Sequence, residues 1–279
     1  MRQMEGIVNA AVMMGTDHNR SLMTAAGLIG PDTEPFGVND TVVGIQADTP
    51  EAAQAALQFF DDFISGKQAA AQEDTQVRAK TLPAGKSLRP ELNFTVISVP
   101  GRFARGEAEK ALNLGLHVLL FSDNVSLEDE VALKKLALEK GLLMMGPDCG
   151  TTIINGTALG FANVVRRGNI GLVAAAGTGL QEVTVLIDQL GGGVSQALGT
   201  GGRDLKEEVG GMMMSLCLDA LDRDPETEVL VILSKPPAPS VMQAMLRQLE
   251  GVRKPVIAAF LGGDPALLEG SRVVWAADL

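Results

Sequence analysis

The chain has 279 residues, 46% of them hydrophobic, which suits about two folded domains and argues against a disordered chain. A net charge of −11, with 4% aromatics and no tyrosine, argues against a nucleic-acid-binding surface or one drawn to anionic lipid. The two cysteines, Cys149 and Cys217, sit in no Cys-x-x-Cys or Cys/His cluster, so no metal is expected. The first fifteen residues are too weakly apolar and too acidic for a signal peptide, and no apolar run is long enough to span a bilayer. A cytoplasmic protein with no membrane partner is expected.

Residues 6–14 (GIVNAAVMM) read as a strand, 18–28 as a short helix closed by Gly27, and 40–47 as a second strand. A helix over 49–67 has a strong start: Thr49 as N-cap, Pro50 at its first position and Glu51 in its first turn. This makes a small α/β unit over 1–67, and the polar, mixed stretch 68–91 reads as a linker. Strands over 93–99, 117–123 and 142–146 then alternate with helices. The helix over 126–141 is capped by Ser126, with acids early, lysines later and Gly141 at its end. Strict alternation predicts a parallel sheet with right-handed crossovers. After Gly156 the pattern restarts: strands NIGLVAAA, GVSQALGTGG, EVLVILSKPP, KPVIAAFLGG and VVWAADL, with helices QEVTVLIDQLGG, KEEVGGMMMSLCLDALDRD and SVMQAMLRQLE among them. That is a second doubly wound domain. The methionine runs at 144–145 and 212–214 read as core filling.

Chemistry is expected where glycine-rich turns follow strands, because ligands of α/β sheets bind at the carboxyl ends of strands and helix N-termini hold anions. Gly177, Thr178 and Gly179, followed by Gln181 and Glu182, open a helix after a buried strand and are candidates for a phosphate nest; otherwise the glycines make a tight turn. Gly201 and Gly202 follow the next strand. Beside them Arg203 is a candidate bidentate clamp, with Asp204 holding it or accepting from a ribose or amide; the alternative is a surface salt bridge. Lys235, on the same edge, would stabilise developing negative charge, or is simply solvated. In the preceding half, Gly146, Pro147, Asp148, Gly150 and Thr151 would meet a phosphate or an extended uncharged arm. Pro100, Gly101 and Arg102 follow the first strand of that half, where Arg102 would meet a phosphate or is simply exposed; Ser122 ends the next strand, and Asp123 would accept a ribose hydroxyl. Cys149 has no histidine near it in sequence and reads as a buried small residue. His117 reads as a core or edge residue and His18 as part of a helix cap.

The segments VPGRFARGEAEKAL, LLFSDNVSLEDEVALKKLALEKGLLMMGPDCGTTI, RGNIGLVAAAGTGLQE, GTGGRDL and SKPPAP resemble the FdrA family, which is built like the α-subunit of succinyl-CoA synthetase. The resemblance covers about residues 5–279. It implies an α/β fold in three parts: a small N-terminal α/β domain, a CoA-binding-type Rossmann domain over 92–165, and a flavodoxin-like ligase domain with a parallel sheet over 168–279. CoA or an adenine nucleotide is the implied cofactor, with no metal. A homodimer and partner subunits are the implied assembly.

Compared with that family, the chain lacks the first βα unit of the Rossmann half and stops at VVWAADL where relatives continue, so a fragment is expected. The synthetase α-subunit carries a phosphorylated histidine shortly after the segment matching KPVIAAFLGG. The corresponding DPALLEGSRVVWAADL holds none, and the position of its orienting glutamate falls at Ser234 or Lys235. Three functions follow. One is an acyl-CoA synthetase-like enzyme binding an acyl phosphate without the phosphohistidine relay. The second is a subunit of an oxamate carbamoyltransferase, since the family is associated with purine and allantoin breakdown; phosphate would attack the carbamoyl carbon of oxalurate and expel oxamate to give carbamoyl phosphate. The third is a non-catalytic ligand-binding or assembly subunit.

Overall fold

A computed structural model describes residues 1, 4–30, 33–65 and 79–279. The chain divides into two compact units, Met1–Arg78 and Ala79–Leu279.

In the first unit β1 (Ile7–Met14), α1 (Asp17–Ala25), β2 (Thr41–Ala47) and α2 (Pro50–Ile64) follow one another. The two strands pair antiparallel, from Met14 opposite Thr41 to Ile7 opposite Ala47. Both helices begin where threonine can take an orphan amide: Thr16 accepts from Asn19 N–H and Thr49 from Ala52 N–H. The cap of α1 is thus Thr16; His18 lies inside the helix and is exposed. Residues 66–78, the end of the expected second helix and the first part of the expected linker, lie outside the described residues.

The second unit opens with α3 (Leu82–Leu88), inside the stretch read as linker. Its signals are Thr81 as N-cap, accepting from Ala84 N–H, and a proline in its first turn. Then come β3 (Phe94–Ile97), α4 (Gly101–Asn113), β4 (His117–Leu120), α5 (Leu127–Glu139) and β5 (Met144–Met145). The strands form a three-stranded parallel sheet in the order β3-β4-β5. Ala104, Ala108, Ala111 and Leu112 of α4 and Leu133 and Ala137 of α5 bury against it. Small residues at helical spacing let α4 lie close to the sheet.

A hairpin follows, β6 (Thr151–Ile154) and β7 (Thr157–Gly160), turning at Asn155 and Gly156 with φ of 50° and 79°. Asn-Gly suits a two-residue turn with left-handed backbone at both positions. The sequence reading made this segment a glycine-rich loop of the preceding half. Instead β6 pairs antiparallel with a strand of the larger sheet, Ile153 opposite Ala197. That sheet is completed by β8 (Arg167–Ala174), β9 (Val194–Gly199), β10 (Val229–Ser234), β11 (Val256–Phe260) and β12 (Val274–Trp275). Its order is β12-β11-β10-β8-β9-β6-β7, parallel from β12 to β9. The crossovers are α6 (Gly177–Gln189), α7 (Met212–Arg223) and α8 (Pro239–Gly251). The expected start of α7 at Lys206 moves to Met212, because Asp204–Gly211 forms turns. Met213, Met214, Cys217, Leu218 and Leu221 of α7 and Val241, Met242, Met245 and Leu249 of α8 are buried. No helix among the described residues is long and apolar enough to cross a membrane.

Candidate functional site

The carboxyl ends of β3, β4 and β8 face one cleft of about 660 Å³. The three-stranded half supplies Pro100, Ser122 and Asp123; the segment joining the two sheets supplies Asp148, Gly150 and Thr151; α6 supplies Gly177, Thr178 and Gln181. A second cleft of about 350 Å³ shares Asp123 and Asp148 and adds Pro147, Gly202 and Arg203. Residues from both halves of the expected site therefore meet.

Two helices begin here without a side-chain cap. Pro100 stands at the N-cap of α4 and Ala176 at that of α6, and neither side chain accepts a backbone amide. Both are unlike α5, where Ser126 accepts from Asp129 N–H. In α6 the first helical bond is Leu180 N–H to Ala176 O, which leaves the amides of Gly177–Gly179 without a helical acceptor. These orphan donors stand at the positive end of the helix dipole, an arrangement whose electrostatics suit an anion. Beside them Thr151 is buried, and a Cβ built on Gly177 would stand 3.9 Å from its Oγ1.

Several candidates serve the scaffold. Gly101 lets the start of α4 press on the neighbouring loop: a Cβ there would lie 2.4 Å from Asp123 O. A Cβ on Gly146 would lie 2.3 Å from Leu120 O, and one on Gly201 would lie 2.7 Å from Pro147 O. The Ser122 hydroxyl accepts from Val99 N–H at 3.0 Å, tying the ends of β3 and β4. Arg102 stacks over Phe103, 4.7 Å from the ring centroid, and lines neither cleft. Nor do Gly179, Glu182 and Lys235; Lys235 is exposed at the end of β10.

Arg203 is held from behind. Its Nε lies 2.7 Å from Glu130 Oε2, and its NH2 donates to Val125 O at 2.9 Å. Glu130 Oε1 accepts from Lys134 Nζ at 2.8 Å, and the same ammonium donates to Asp204 Oδ1 at 2.8 Å and Thr200 O at 3.0 Å. Asp204 in turn accepts from the amides of Met213 and Met214, at the start of α7. Asp204 thus caps a helix and pairs with Lys134, rather than holding Arg203 or facing a ribose. Lys134 has 0% exposure and Glu130 1%. Sequence reading missed this network: Glu130 and Lys134 sit at i, i+4 on α5, a spacing typical of solvated helix pairs. It also missed Phe121 and Phe161, which meet edge to face at the cleft with centroids 5.0 Å apart.

Cys149 is buried, with Sγ 3.3 Å from Gly199 O, and burial pushes its thiol above the ordinary value. Such a thiol is a poor nucleophile. His117 begins β4 and accepts Leu143 N–H on Nδ1 at 2.9 Å; burial lowers its pKa.

Comparison with known proteins places this geometry. The chain is 48% identical over 259 residues to YahF of Escherichia coli strain K12, covering 93% of this chain and 50% of YahF. It is 28% identical over 176 residues to the α-subunit of an ADP-forming succinate–CoA ligase of Aquifex aeolicus, covering 61% of this chain and 56% of that one. The chain is an FdrA-like relative of succinate–CoA ligase α-subunits. It spans about half the length of these relatives. The dinucleotide-forming acetyl-coenzyme A synthetase 1 of Ca. Korarchaeum cryptofilum, solved with phosphate and ADP, shares the fold: TM-score 0.60 at 18% identity, over 73% of this chain and 49% of that one. Residues 1–80 match a family described as AllF, heavy metal-associated domain. Residues 1–80 hold no cysteine and one histidine, and among the described residues no group of three His, Cys, Asp or Glu side chains is placed to hold a metal ion.

Proposed function

We propose that this chain is an acyl-CoA synthetase-like subunit that binds the phosphate of an acyl phosphate, or of an adenine nucleotide, at the first turn of α6. The observation that carries the reading is the uncapped start of α6 in the large cleft. Gly177 supports it, for it needs neither a left-handed backbone nor the space a Cβ would fill. Its bareness is explained by a ligand that comes close to the backbone. The chain's charge of −11 is locally offset there by amide dipoles and, at the second cleft, by Arg203. In this reading the amides of 177–179 and the Gly201–Gly202 turn hold the phosphoryl oxygens. Arg203 borders the second cleft with its guanidinium paired to Glu130, and Lys235 lies on the same sheet edge outside both clefts, so the backbone amides are the principal donors.

CoA, if it binds, is assigned to the wall made by Pro100, Ser122, Asp123 and Asp148. The lining of the large cleft has two aspartates and no lysine or arginine, so it fits the uncharged pantetheine arm better than the polyanionic nucleotide end. That arm would present its thiol toward the phosphate-holding turn.

A second reading, carbamoyl phosphate as the ligand with phosphate and a carbamoyl donor as reactants, is favoured by where His117 stands. His117 is engaged with a backbone amide, and it does not line the cleft. A free acyl or carbamoyl phosphate would then carry the phosphoryl group in this part of the protein. A homodimer and partner subunits belong to both readings.

Thermal unfolding against phosphate, ADP, CoA and carbamoyl phosphate tests the proposal. A ligand at about a hundred times its Kd adds about 2.7 kcal/mol of stability. Stabilisation by phosphate and CoA supports the synthetase-like reading; carbamoyl phosphate without CoA supports the second. No shift with any of the four refutes both and leaves an assembly subunit.

A further inference from the structure

We infer that Phe121 and Phe161 form a corner that selects a flat, unsaturated group on the ligand whose anion sits at α6. The inference rests on the reading of α6 as the anion site. The chain is poor in aromatics, with nine phenylalanines, one tryptophan and no tyrosine, yet two phenylalanines meet at this cleft. Their planes are 74° apart, so the pair makes an L rather than a stack. Phe161 is 68% exposed. A large apolar ring held open to solvent calls for an explanation, and here it is pinned. Its backbone N–H donates to Gly150 O at 2.6 Å, and its carbonyl accepts Gln181 Nε2 at 2.8 Å.

The floor beneath the corner is glycine. A Cβ on Gly150 would stand 3.3 Å from Phe161 Cδ2, and one on Gly160 would stand 2.4 Å from Gly150 O and 3.6 Å from Phe121 Cδ2. A side chain at Gly150 would press on Phe161, and one at Gly160 would collide with the Gly150 carbonyl. Gln181, which fixes the Phe161 carbonyl, lies one turn along α6 from Gly177, so the anion site and the corner are about 6 Å apart along the helix. A group lodged in the corner stacks on one ring and meets the other edge-on, the two geometries favoured by aromatic quadrupoles. A flat conjugated group satisfies both at once. A puckered saturated group of the same size cannot.

The test uses the full chain and three probes: inorganic phosphate, phenyl phosphate and cyclohexyl phosphate, with affinities measured by titration calorimetry. Cyclohexyl phosphate is the more apolar of the two esters, so simple desolvation favours it. The corner predicts the reverse: phenyl phosphate binds about two- to tenfold more tightly, the range of an aromatic pair's added contribution. Phe161→Leu, a surface change that leaves the fold intact by circular dichroism, removes that preference and leaves inorganic phosphate affinity unchanged. Equal affinity of the two esters, or a preference that survives both Phe161→Leu and Phe121→Leu, overturns the inference while leaving the anion site standing. Failure of all three probes to bind overturns the anion site and the corner with it.

Discussion

Replacing Lys134 tests whether the buried charges are a structural keystone. Its ammonium has three acceptors within 3.0 Å and no exposure. Lys134→Met keeps most of the apolar stem and removes the charge, so it reads the electrostatics with little change in packing. The carboxylates left behind are not wholly abandoned. Glu130 retains Arg203, and Asp204 retains the Met213 and Met214 amides. The expected loss therefore sits at the lower end of the range for breaking a buried pair, about 3 kcal/mol. Lys134→Ala also removes three buried methylenes, a further ~2 kcal/mol at about 0.8 each. Urea unfolding followed by circular dichroism measures both losses, and a thermal melt should fall by roughly 6–12 °C for Lys134→Met at ~2–4 °C per kcal/mol. A loss below about 1 kcal/mol for Lys134→Met would show that the charges contribute no net stability and refute the reasoning.

Three further outcomes follow from single groups. Gly177→Ala should leave the melting temperature unchanged or slightly raised, yet weaken phosphate binding about tenfold, since a charge-assisted contact is worth roughly 1.5–3 kcal/mol; unchanged affinity on titration would sink the anion site. Burial raises the pKa of both Cys149 and Cys217. The thiols therefore contribute stability that is whole below their unfolded pKa and is lost as pH rises, about 1.4 kcal/mol per pH unit for each, seen in urea melts above pH ~9 and diminished in Cys149→Ala. For His117 the sign is opposite. Its lowered pKa gives stability present above the unfolded value and lost as pH falls below ~6.5, and NMR titration should place its midpoint under that value.

Much of the fold was legible because its signals are local. Thr49 and Ser126 as caps marked α2 and α5, Gly27 marked the end of α1, and apolar runs marked the central strands, whereas the Thr16 cap of α1 was not read. The hairpin over 151–160 was not read, although Asn155-Gly156 is a hairpin signal, because a motif rich in glycine was taken for a loop. Its strand joins the larger sheet through a single partnered position, Ile153 with Ala197, and a contact so distant in sequence leaves no periodic trace. The site was legible by position: strand ends identified the segments that meet in the clefts. What sequence could not give was the direction of side chains. Arg203 turns back to Glu130, Asp204 caps α7, and Arg102 lies over Phe103. Each depends on what tertiary packing brings within a few ångströms.

The glycines show why composition alone overstates a ligand site. Gly101 is bare because the next loop's carbonyls occupy the place of a side chain, and Gly201 because its φ of 89° and the Pro147 carbonyl both exclude one. Such glycines would be retained by a protein that binds nothing. Gly177 and Gly202 are different: a Cβ on either meets nothing closer than 3.9 Å, and neither has a left-handed backbone. Folding gives no reason for their bareness, and both border a cleft. Gly202→Ala set against Gly201→Ala separates the two kinds. The second should destabilise by roughly 1–3 kcal/mol through overpacking, whatever is bound. The first should fold as well as the parent and lose affinity for the anion. If the two variants behave alike, the glycine loop is scaffold throughout and the phosphate reading loses its support at the second cleft.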